Sequence, residues 1–479
     1  MSIIKNISTL VFSKGINLAI NILFLPYLSR SLTINDYGTY GQTLLIVDLV
    51  KTLFAGGLAL IIFVYLSQNI NKIKVISSNF ILSLILGFTG FIILFFSSVF
   101  LGQLFNNENV AVGIAIYSIS IIFSIPNTVL SSVLIYYKKI YTYSKIIIII
   151  NVLRLAFLFI SITILNSLVA VYVSLVILEL LYFLLLFSQL KTRFKYSSIN
   201  LANGIRQFKD GFFINLATLL GFLTLATDSL MISIFKNENA YAIYKNGAFE
   251  VPLISVIYIS ISQIFLPKIT QWYSNKDYSQ IAKTKKKLSL NIASLIYPIC
   301  IFFVLYSSDF ITVYLSDRYK GSALIFSIFN LSLIMRIYDY LDVLIAAKKT
   351  KLILYVQVFS IITNFLLNYI LIDLLGIKGA AIATLITLIL YAFIFLKLNS
   401  IILKTSILNI IDLQKIALVL LISLIIAFPF SLLEISDQKT LSFTLKLSYF
   451  PVIYIILIKL KMIDQQITNY VTGVFSKLF

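Results

Sequence analysis

Four basic side chains, Lys14, Lys51, Arg154 and Arg336, and four acids, Asp48, Glu179, Asp228 and Asp339, lie within or close to otherwise apolar stretches of the chain. At mid-bilayer depth a charged side chain costs about 2.5–3.5 kcal/mol on insertion scales, so each such residue needs a physical reason. Arginine presents a planar fork that binds phosphate oxygens in pairs. If Arg154 and Arg336 face one cavity together with Lys14 and Lys51, they form a cationic site for a diphosphate. The competing explanation is local neutralisation. Asp339 follows Arg336 by three residues on the same helical face, and Asp48 precedes Lys51 by three. A carboxylate held away from water can carry a proton, and it can equally coordinate sodium, so Asp48, Glu179, Asp228 and Asp339 are candidates for ion coupling. For Glu179 and Asp228 a helix-end or interfacial position is the alternative. Asp309, Asp317, Glu434 and Asp437 read as solvated loop charges.

Lys14, Asn17 and Asn21 fall at i, i+3 and i+7, one stripe along the first apolar segment. Five residues on, Pro26 removes a backbone donor and can bend that helix. A polar stripe beside a hinge suits a gate that lines a cavity; a buried polar seam between helices is the alternative. The chain has no histidine, which removes imidazole proton relays, histidine zinc sites and Ser-His-Asp catalysis. Its one cysteine, Cys300, excludes an internal disulfide. No catalytic set and no metal site emerges, and an enzyme is not expected.

The elements that must position these residues follow from composition. Of 479 residues 60% are hydrophobic and 12% charged, and the mean hydropathy is +1.01. A soluble domain carries about twice that share of charge, so lipid must face most of this chain. Stretches of roughly 20 apolar residues, the length that crosses a bilayer, recur about fourteen times. The second is expected over 39–66, the fifth over 144–165, the ninth over 288–308 and the tenth over 322–346. With the N-terminus inside, 26 of the 38 lysines and arginines fall in the predicted inner segments and eight in the outer ones. That bias is the positive-inside signature, and it places both termini in the cytoplasm. The net charge of +20, including the run from Lys283 to Lys287, is then topology and attraction to anionic headgroups, with no nucleic acid required.

Two halves of the chain echo one another. Val133-Leu134-Ile135-Tyr136-Tyr137-Lys138-Lys139 recurs as Val343-Leu344-Ile345-Ala346-Ala347-Lys348-Lys349, and Ile16-Asn17-Leu18-Ala19 as Ile214-Asn215-Leu216-Ala217. Each Ile-Asn-Leu-Ala is followed by a Tyr-x-x-Tyr expected as a loop, Tyr37 and Tyr40, then Tyr241 and Tyr244. The expected fold is an all-α integral membrane protein of about 14 transmembrane helices. Two pseudo-symmetric six-helix bundles, 1–200 and 201–400, precede two additional helices in 401–479. Repeats of even span number share an orientation, as in transporters that rock one half against the other around a site between them.

Three segments resemble a known family. Asn364-Phe365-Leu366-Leu367-Asn368-Tyr369-Ile370-Leu371-Ile372, followed by Gly376-Ile377-Lys378-Gly379-Ala380-Ala381-Ile382-Ala383-Thr384, is similar to a motif of the polysaccharide exporters. Pro26-Tyr27-Leu28-Ser29-Arg30-Ser31-Leu32 with Asp36-Tyr37-Gly38-Thr39-Tyr40-Gly41 resembles their opening, and Ala226-Thr227-Asp228-Ser229-Leu230-Met231-Ile232 the start of their second half. The resemblance covers roughly residues 5–400. It is to the Wzx-type O-antigen flippases, within the superfamily that also holds multidrug extruders and lipid II flippases. In its own right the Gly-Ala motif, with Gly376 and Ala380, then Gly379 and Ala383, four apart, lets helices pack closely in lipid.

The resemblance implies a flippase that moves a polyprenyl-diphosphate-linked oligosaccharide across the bacterial cytoplasmic membrane by alternating access. It implies no cofactor beyond a proton or sodium gradient, and its partners are the bilayer, the lipid-linked sugar and other polysaccharide assembly proteins. A multidrug extruder would want an acidic or neutral lumen, whereas arginine and lysine occupy these spans. A lipid II or teichoic-type exporter stays open. A polysaccharide polymerase or ligase would be expected to show a large outer loop, and the predicted loops are short.

Overall fold

The computed structural model describes residues 24–55, 57–67, 71–249, 251, 254, 265–266, 268–433 and 438–463. Every regular element among them is helical, and ten of the helices are long and apolar enough to cross a membrane. The chain is therefore a multi-pass membrane protein. The helices divide into two compact units, residues 1–242 and 243–479.

Unit 1 begins with a helical stretch over 24–31 that contains Pro26. Then follow α1 (Ile34–Ala55), α2 (Leu58–Ser67), α3 (Lys72–Leu104), α4 (Glu108–Tyr117), α5 (Ile121–Tyr136), α6 (Ile140–Phe159), α7 (Leu168–Ser188), α8 (Leu201–Asp210) and α9 (Phe212–Phe235). A tenth helix, α10 (Glu238–Gly247), runs across the boundary between the units. Asparagine and serine side chains start several of these helices by accepting an otherwise orphaned N–H. Asn71 takes that of Lys74, Asn107 that of Asn109, Ser167 that of Ala170 and Asn200 that of Asn203. On α3 the buried stripe is mostly small residues, Ser83, Gly87, Gly90, Ser98 and Gly102, with Leu94 among them. A Cβ on Gly87 would come within 3.0 Å of the Ile121 carbonyl, so α3 and α5 pack backbone to backbone. The opposite face presents Phe88, Phe96, Val99 and Phe100, the lipid-facing surface that the composition demands.

The second expected span is interrupted. α1 ends at Ala55 and α2 starts at Leu58, and Asn215 of α9 bridges the gap. Its Nδ2 donates to the Leu53 carbonyl (2.8 Å), and its Oδ1 accepts from the Gly57 N–H (2.7 Å). The Tyr-x-x-Tyr pairs lie inside helices and not in loops. Tyr37 and Tyr40 are on α1, Tyr241 and Tyr244 on α10, and all four are buried. Apolar burial on the helical i, i+3 spacing outweighs the flanking turn residues.

Unit 2 holds α11 (Tyr278–Leu305), α12 (Ser307–Tyr314), α13 (Ser322–Ser332), α14 (Asp342–Ala346), α15 (Thr350–Leu375), α16 (Ile377–Ile402), α17 (Leu413–Ala427), α18 (Lys439–Lys446) and α19 (Tyr449–Lys459). Its buried core is built around α11, where Ile292, Ile296, Cys300 and Phe302 lie among residues of α16, α17 and α19. Between α15 and α16 the chain reverses at Gly376, whose φ of +63° only glycine adopts without cost. The expected close packing of the Gly-Ala motif is present here. A Cβ on Gly379 would sit 1.9 Å from the Leu371 carbonyl, and Ala380 and Ala383 are fully buried.

The tenth expected span, 322–346, is broken. Helix α13 and a 3-10 turn end at Met335, and α14 restarts only at Asp342. Arg336 and Asp339 therefore do not sit on one α-helix, and their three-residue spacing does not by itself bring the two side chains together. The expected count of about fourteen spans is not reproduced by the ten long helices among the described residues. Two of the expected spans are broken, and those expected over 7–29 and 248–272 fall largely outside the described residues. Asp309, expected as a solvated loop charge, is on α12 and pairs with the buried Lys446 at 2.7 Å.

The two helix ends matched in the sequence close with the same turn, one that also occurs at Lys276, Lys404 and Lys461. Helix α5 closes with Lys138 at φ +58°, the Tyr137 N–H bonding the Val133 carbonyl and the Lys139 N–H bonding the Leu134 carbonyl. Helix α14 closes with Lys348 at φ +56°, and the same two bonds run from Ala347 to Val343 and from Lys349 to Leu344. This is a Schellman closure with lysine in place of glycine, at positions 210 residues apart in the sequence.

Candidate functional site

In unit 1 the charged residues of α1, α6 and α7 converge. Lys51 Nζ lies 3.6 Å from Asp48 Oδ1 and 3.7 Å from Glu179 Oε1, and 5.7 Å above the ring of Tyr117 from α4. On its far side Glu179 accepts from Asn127 Nδ2 of α5 at 3.1 Å. Arg154, three residues after Asn151 on α6, makes no ion pair with a described residue and lines a cavity of about 280 Å³. Tyr117, Tyr143, Asn151, Glu179 and Tyr182 complete the polar lining. The volume is near the lower edge of the roughly 300–1,000 Å³ typical of small-molecule sites.

Local structure fixes this arrangement. Asn151 sits one turn before Arg154, its Nδ2 bonded back to the Ile147 carbonyl at 3.0 Å. Two turns beyond Arg154 the helix widens into a π-turn over Ile160–Ile164, a device common near functional sites. Ser161 in that turn meets Ser174 of α7 (2.7 Å, Oγ to Oγ) and donates to the Ala170 carbonyl (3.2 Å). The two helices that carry Arg154 and Glu179 are thus tied together beyond the cavity.

The chemistry is mixed rather than uniformly cationic. Two bases, Lys51 and Arg154, meet two acids, Asp48 and Glu179. Lys51 is engaged by both carboxylates, whereas the Arg154 fork is available. Three tyrosines supply flat apolar faces with hydroxyl tips, which suit sugar rings and polar head groups. The tyrosines and Asn127 were not legible as site residues, because 29 tyrosines are spread through the sequence without a distinguishing spacing.

Of the other candidates, Asp228 is buried on α9 in unit 1. Arg336 and Asp339 belong to the break in the tenth span of unit 2, where Asp339 Oδ1 accepts from the N–H groups of Leu341 and Asp342 (3.1 and 3.3 Å). Pro26 lies in the helical stretch before α1, and its carbonyl accepts from Ser29 Oγ (3.0 Å). Lys14, Asn17 and Asn21 lie outside the described residues. One basic residue departs from its expected place. Lys285, read with the run 283–287 as topology and attraction to headgroups, is buried in unit 2 with Asp342, 2.5 Å from Nζ to Oδ1. Its helical period signals this, since Lys285, Ser289, Ile292 and Ile296 share the buried face of α11.

The sequence profile of a family described as polysaccharide biosynthesis protein matches residues 3–272. No curated protein sequence matches the chain. Among solved structures, "Lipid II flippase MurJ, inward closed conformation" superposes with a TM-score of 0.77 at 18% identity, covering 95% of this chain and 98% of that one. An inward-facing multidrug resistance MATE family transporter gives 0.64 at 15% identity, over 81% and 95% of the two chains. A MOP superfamily transporter from Pyrococcus furiosus, described as having a binding pocket of reversed polarity, gives 0.58 at 14% identity, over 85% and 96%. At these identities the likeness is one of fold.

Proposed function

Because the chain belongs to the polysaccharide biosynthesis protein family, we propose that it is a flippase that carries a polyprenyl-diphosphate-linked oligosaccharide, such as an O-antigen repeat unit, across the bacterial cytoplasmic membrane. The observation that carries this reading is Arg154, a guanidinium without an ion pair to a described residue, at a tyrosine-lined cavity inside a bundle of lipid-facing helices. The fork would hold phosphate oxygens of the head group, the tyrosines would stack on its sugars, and the lipid tail would stay in the bilayer. Alternating access would do the rest, with no covalent step. Lys14 and Arg336 would add positive charge along the path, with Asn17 and Asn21 lining it, Pro26 would act as the hinge of the gate, and both termini would lie in the cytoplasm. Lys51, held by two carboxylates, would position Glu179 rather than bind phosphate.

Glu179 supports a second reading. A carboxylate on the wall of the cavity suits a cationic drug, as in a multidrug extruder of the same fold. A lipid II exporter, comparable to the flippase MurJ of similar fold, shares the diphosphate chemistry and differs in the head group carried on it.

The test is transbilayer movement of a fluorescent polyprenyl-diphosphate oligosaccharide in proteoliposomes. Movement that requires the protein and falls about tenfold or more in Arg154→Ala, one phosphate-fork contact or roughly 1.4 kcal/mol, would support the reading. Protein-dependent movement unaffected in that variant would remove Arg154 from the site. Export of cationic dyes without lipid movement would favour the extruder.

A further inference from the structure

The break in the tenth span has a demanding interior. Non-helical backbone at membrane depth survives only where its polar groups find partners inside the protein or line a cavity. Here the partners can be named. The Asp339 carboxylate takes the N–H groups of Leu341 and Asp342. Asn399 of α16 donates to the Tyr340 carbonyl at 3.0 Å, and the Tyr340 hydroxyl donates to the Met335 carbonyl at 2.6 Å. The Asp339 carbonyl accepts from Lys285 at 2.5 Å.

Lys285 Nζ completes its set with both oxygens of Asp342, at 2.5 and 2.6 Å, and sits 3.9 Å over the ring of Tyr338. All three ammonium protons are thereby used. The side chains of Lys285 and Asp342 are only 3% and 4% exposed, so solvent screens this pair very little. Beside it lies a cavity of about 20 Å³ lined by Lys285, Ser289, Tyr338, Asp339 and Asp342. That is room for one water. The fully buried Tyr338 hydroxyl has no hydrogen-bond partner among the described atoms. A carboxylate, an unwound carbonyl and an aromatic face around one positive centre form a cage for a monovalent cation, and the lysine occupies it from within.

We propose that Lys285 is a tethered cation filling this cage, and that Asp342 is the proton-binding group that releases it. The proposal rests on the transporter reading above and names the coupling ion of unit 2 as a proton. One proton from water adds to the Asp342 carboxylate, which becomes a carboxylic acid. The cage then holds a surplus positive charge, and the Lys285 ammonium, still protonated, leaves it. When the site faces the other side, Asp342 returns the proton to water and Lys285 re-enters. Asp339 acts on the Asp342 carboxylate directly and Tyr338 lies against the pair, while Tyr340 acts on Tyr338, and Asp339 and Arg336 act on Tyr391 of α16.

Two measurements on the full chain test this. In detergent, Lys285→Ala should melt at a lower temperature than the wild type. Methylammonium or potassium chloride should restore at least half of that loss, and choline chloride, too large for the cage, should not. In Lys285→Ala combined with Asp342→Asn the cation effect should vanish. Equal recovery in choline, or none in any salt, would overturn the cage. In proteoliposomes wild-type lipid movement should respond to an imposed pH gradient, and in Asp342→Asn it should be the same with and without the gradient. A variant that keeps the wild-type gradient response would overturn the proton assignment. If Lys285→Ala does not fold, the proteoliposome comparison alone decides. Failure of the flippase reading shows separately, as absence of lipid movement in the wild type.

Discussion

Lys51 of α1 and Glu179 of α7 meet at 3.7 Å at the cavity wall, with Asp48 on the other side of the ammonium and Asn127 on the other side of the carboxylate. The pair joins helices 128 positions apart in the sequence. Both side chains are about a fifth to a quarter exposed, so the attraction is partly screened. Lys51→Met and Glu179→Gln should each lower thermal stability, and the double variant should lose less than the sum of the two. A coupling of about 0.5–1.5 kcal/mol is expected in a double-mutant cycle followed by thermal unfolding in detergent. Strict additivity would mean that the two side chains act independently. Glu179→Gln keeps an acceptor for Asn127, so its effect reports on charge rather than on the hydrogen bond.

Two glycines separate close packing from simple helix propensity. At Gly379 a new Cβ would stand 1.9 Å from the backbone oxygen of Leu371, which has no room to give. Gly379→Ala should therefore cost about 2 kcal/mol or more and lower the yield of folded protein. At Gly221, on α9, nothing lies within 4 Å. Gly221→Ala should gain roughly 0.5–1 kcal/mol from helix propensity. Melting temperatures of the two variants beside the wild type give both signs in one experiment.

The Gly-Ala motif was legible because small residues four apart have one dominant use in lipid, whichever partner they meet. The site was less so. Composition and periodicity identify apolar helices, and a charge inside one is conspicuous, which is why Arg154, Lys51, Asp48 and Glu179 stood out. Their pairing across α1 and α7 depends on helix rotation and packing, and sequence spacing carries no information on that. The break at 336–341 was hidden for another reason. It contains neither proline nor glycine, and it is held open by distant partners, Lys285 and Asn399. Asp342 carries no signal in its own neighbourhood either, because the lysine that closes on it comes from α11, 57 positions earlier.

Ion pairs near the last two helices should differ in weight. Lys446 is 2% exposed and donates to Asp309 at 2.7 Å, 5.2 Å from the Tyr306 ring, while Lys439 and Asp317 pair at 2.6 Å with both side chains more than half exposed. Asp309→Asn strands a buried ammonium and should cost about 1–3 kcal/mol, reduced from the fully buried case because Asp309 itself is partly in solvent. Asp317→Asn should change stability by less than about 0.5 kcal/mol, and that small effect should disappear in high salt. Thermal melts at two ionic strengths distinguish the pairs.

The lysine closures of α5 and α14 give the last prediction. Lys138 and Lys348 each hold a positive φ, where a Cβ crowds the carbonyl oxygen and glycine does not. Lys138→Gly and Lys348→Gly should each stabilise the chain by up to about 1 kcal/mol, since both backbone bonds of the closure are kept and the strain is removed. Alanine at either position keeps the Cβ and loses only the side chain beyond it, so it should give no gain. Equal effects of glycine and alanine in thermal melts would show that the lysine side chains, not the backbone, decide stability there. A gain with glycine at both positions would mean that each of these turns carries backbone strain that the lysine side chain does not relieve.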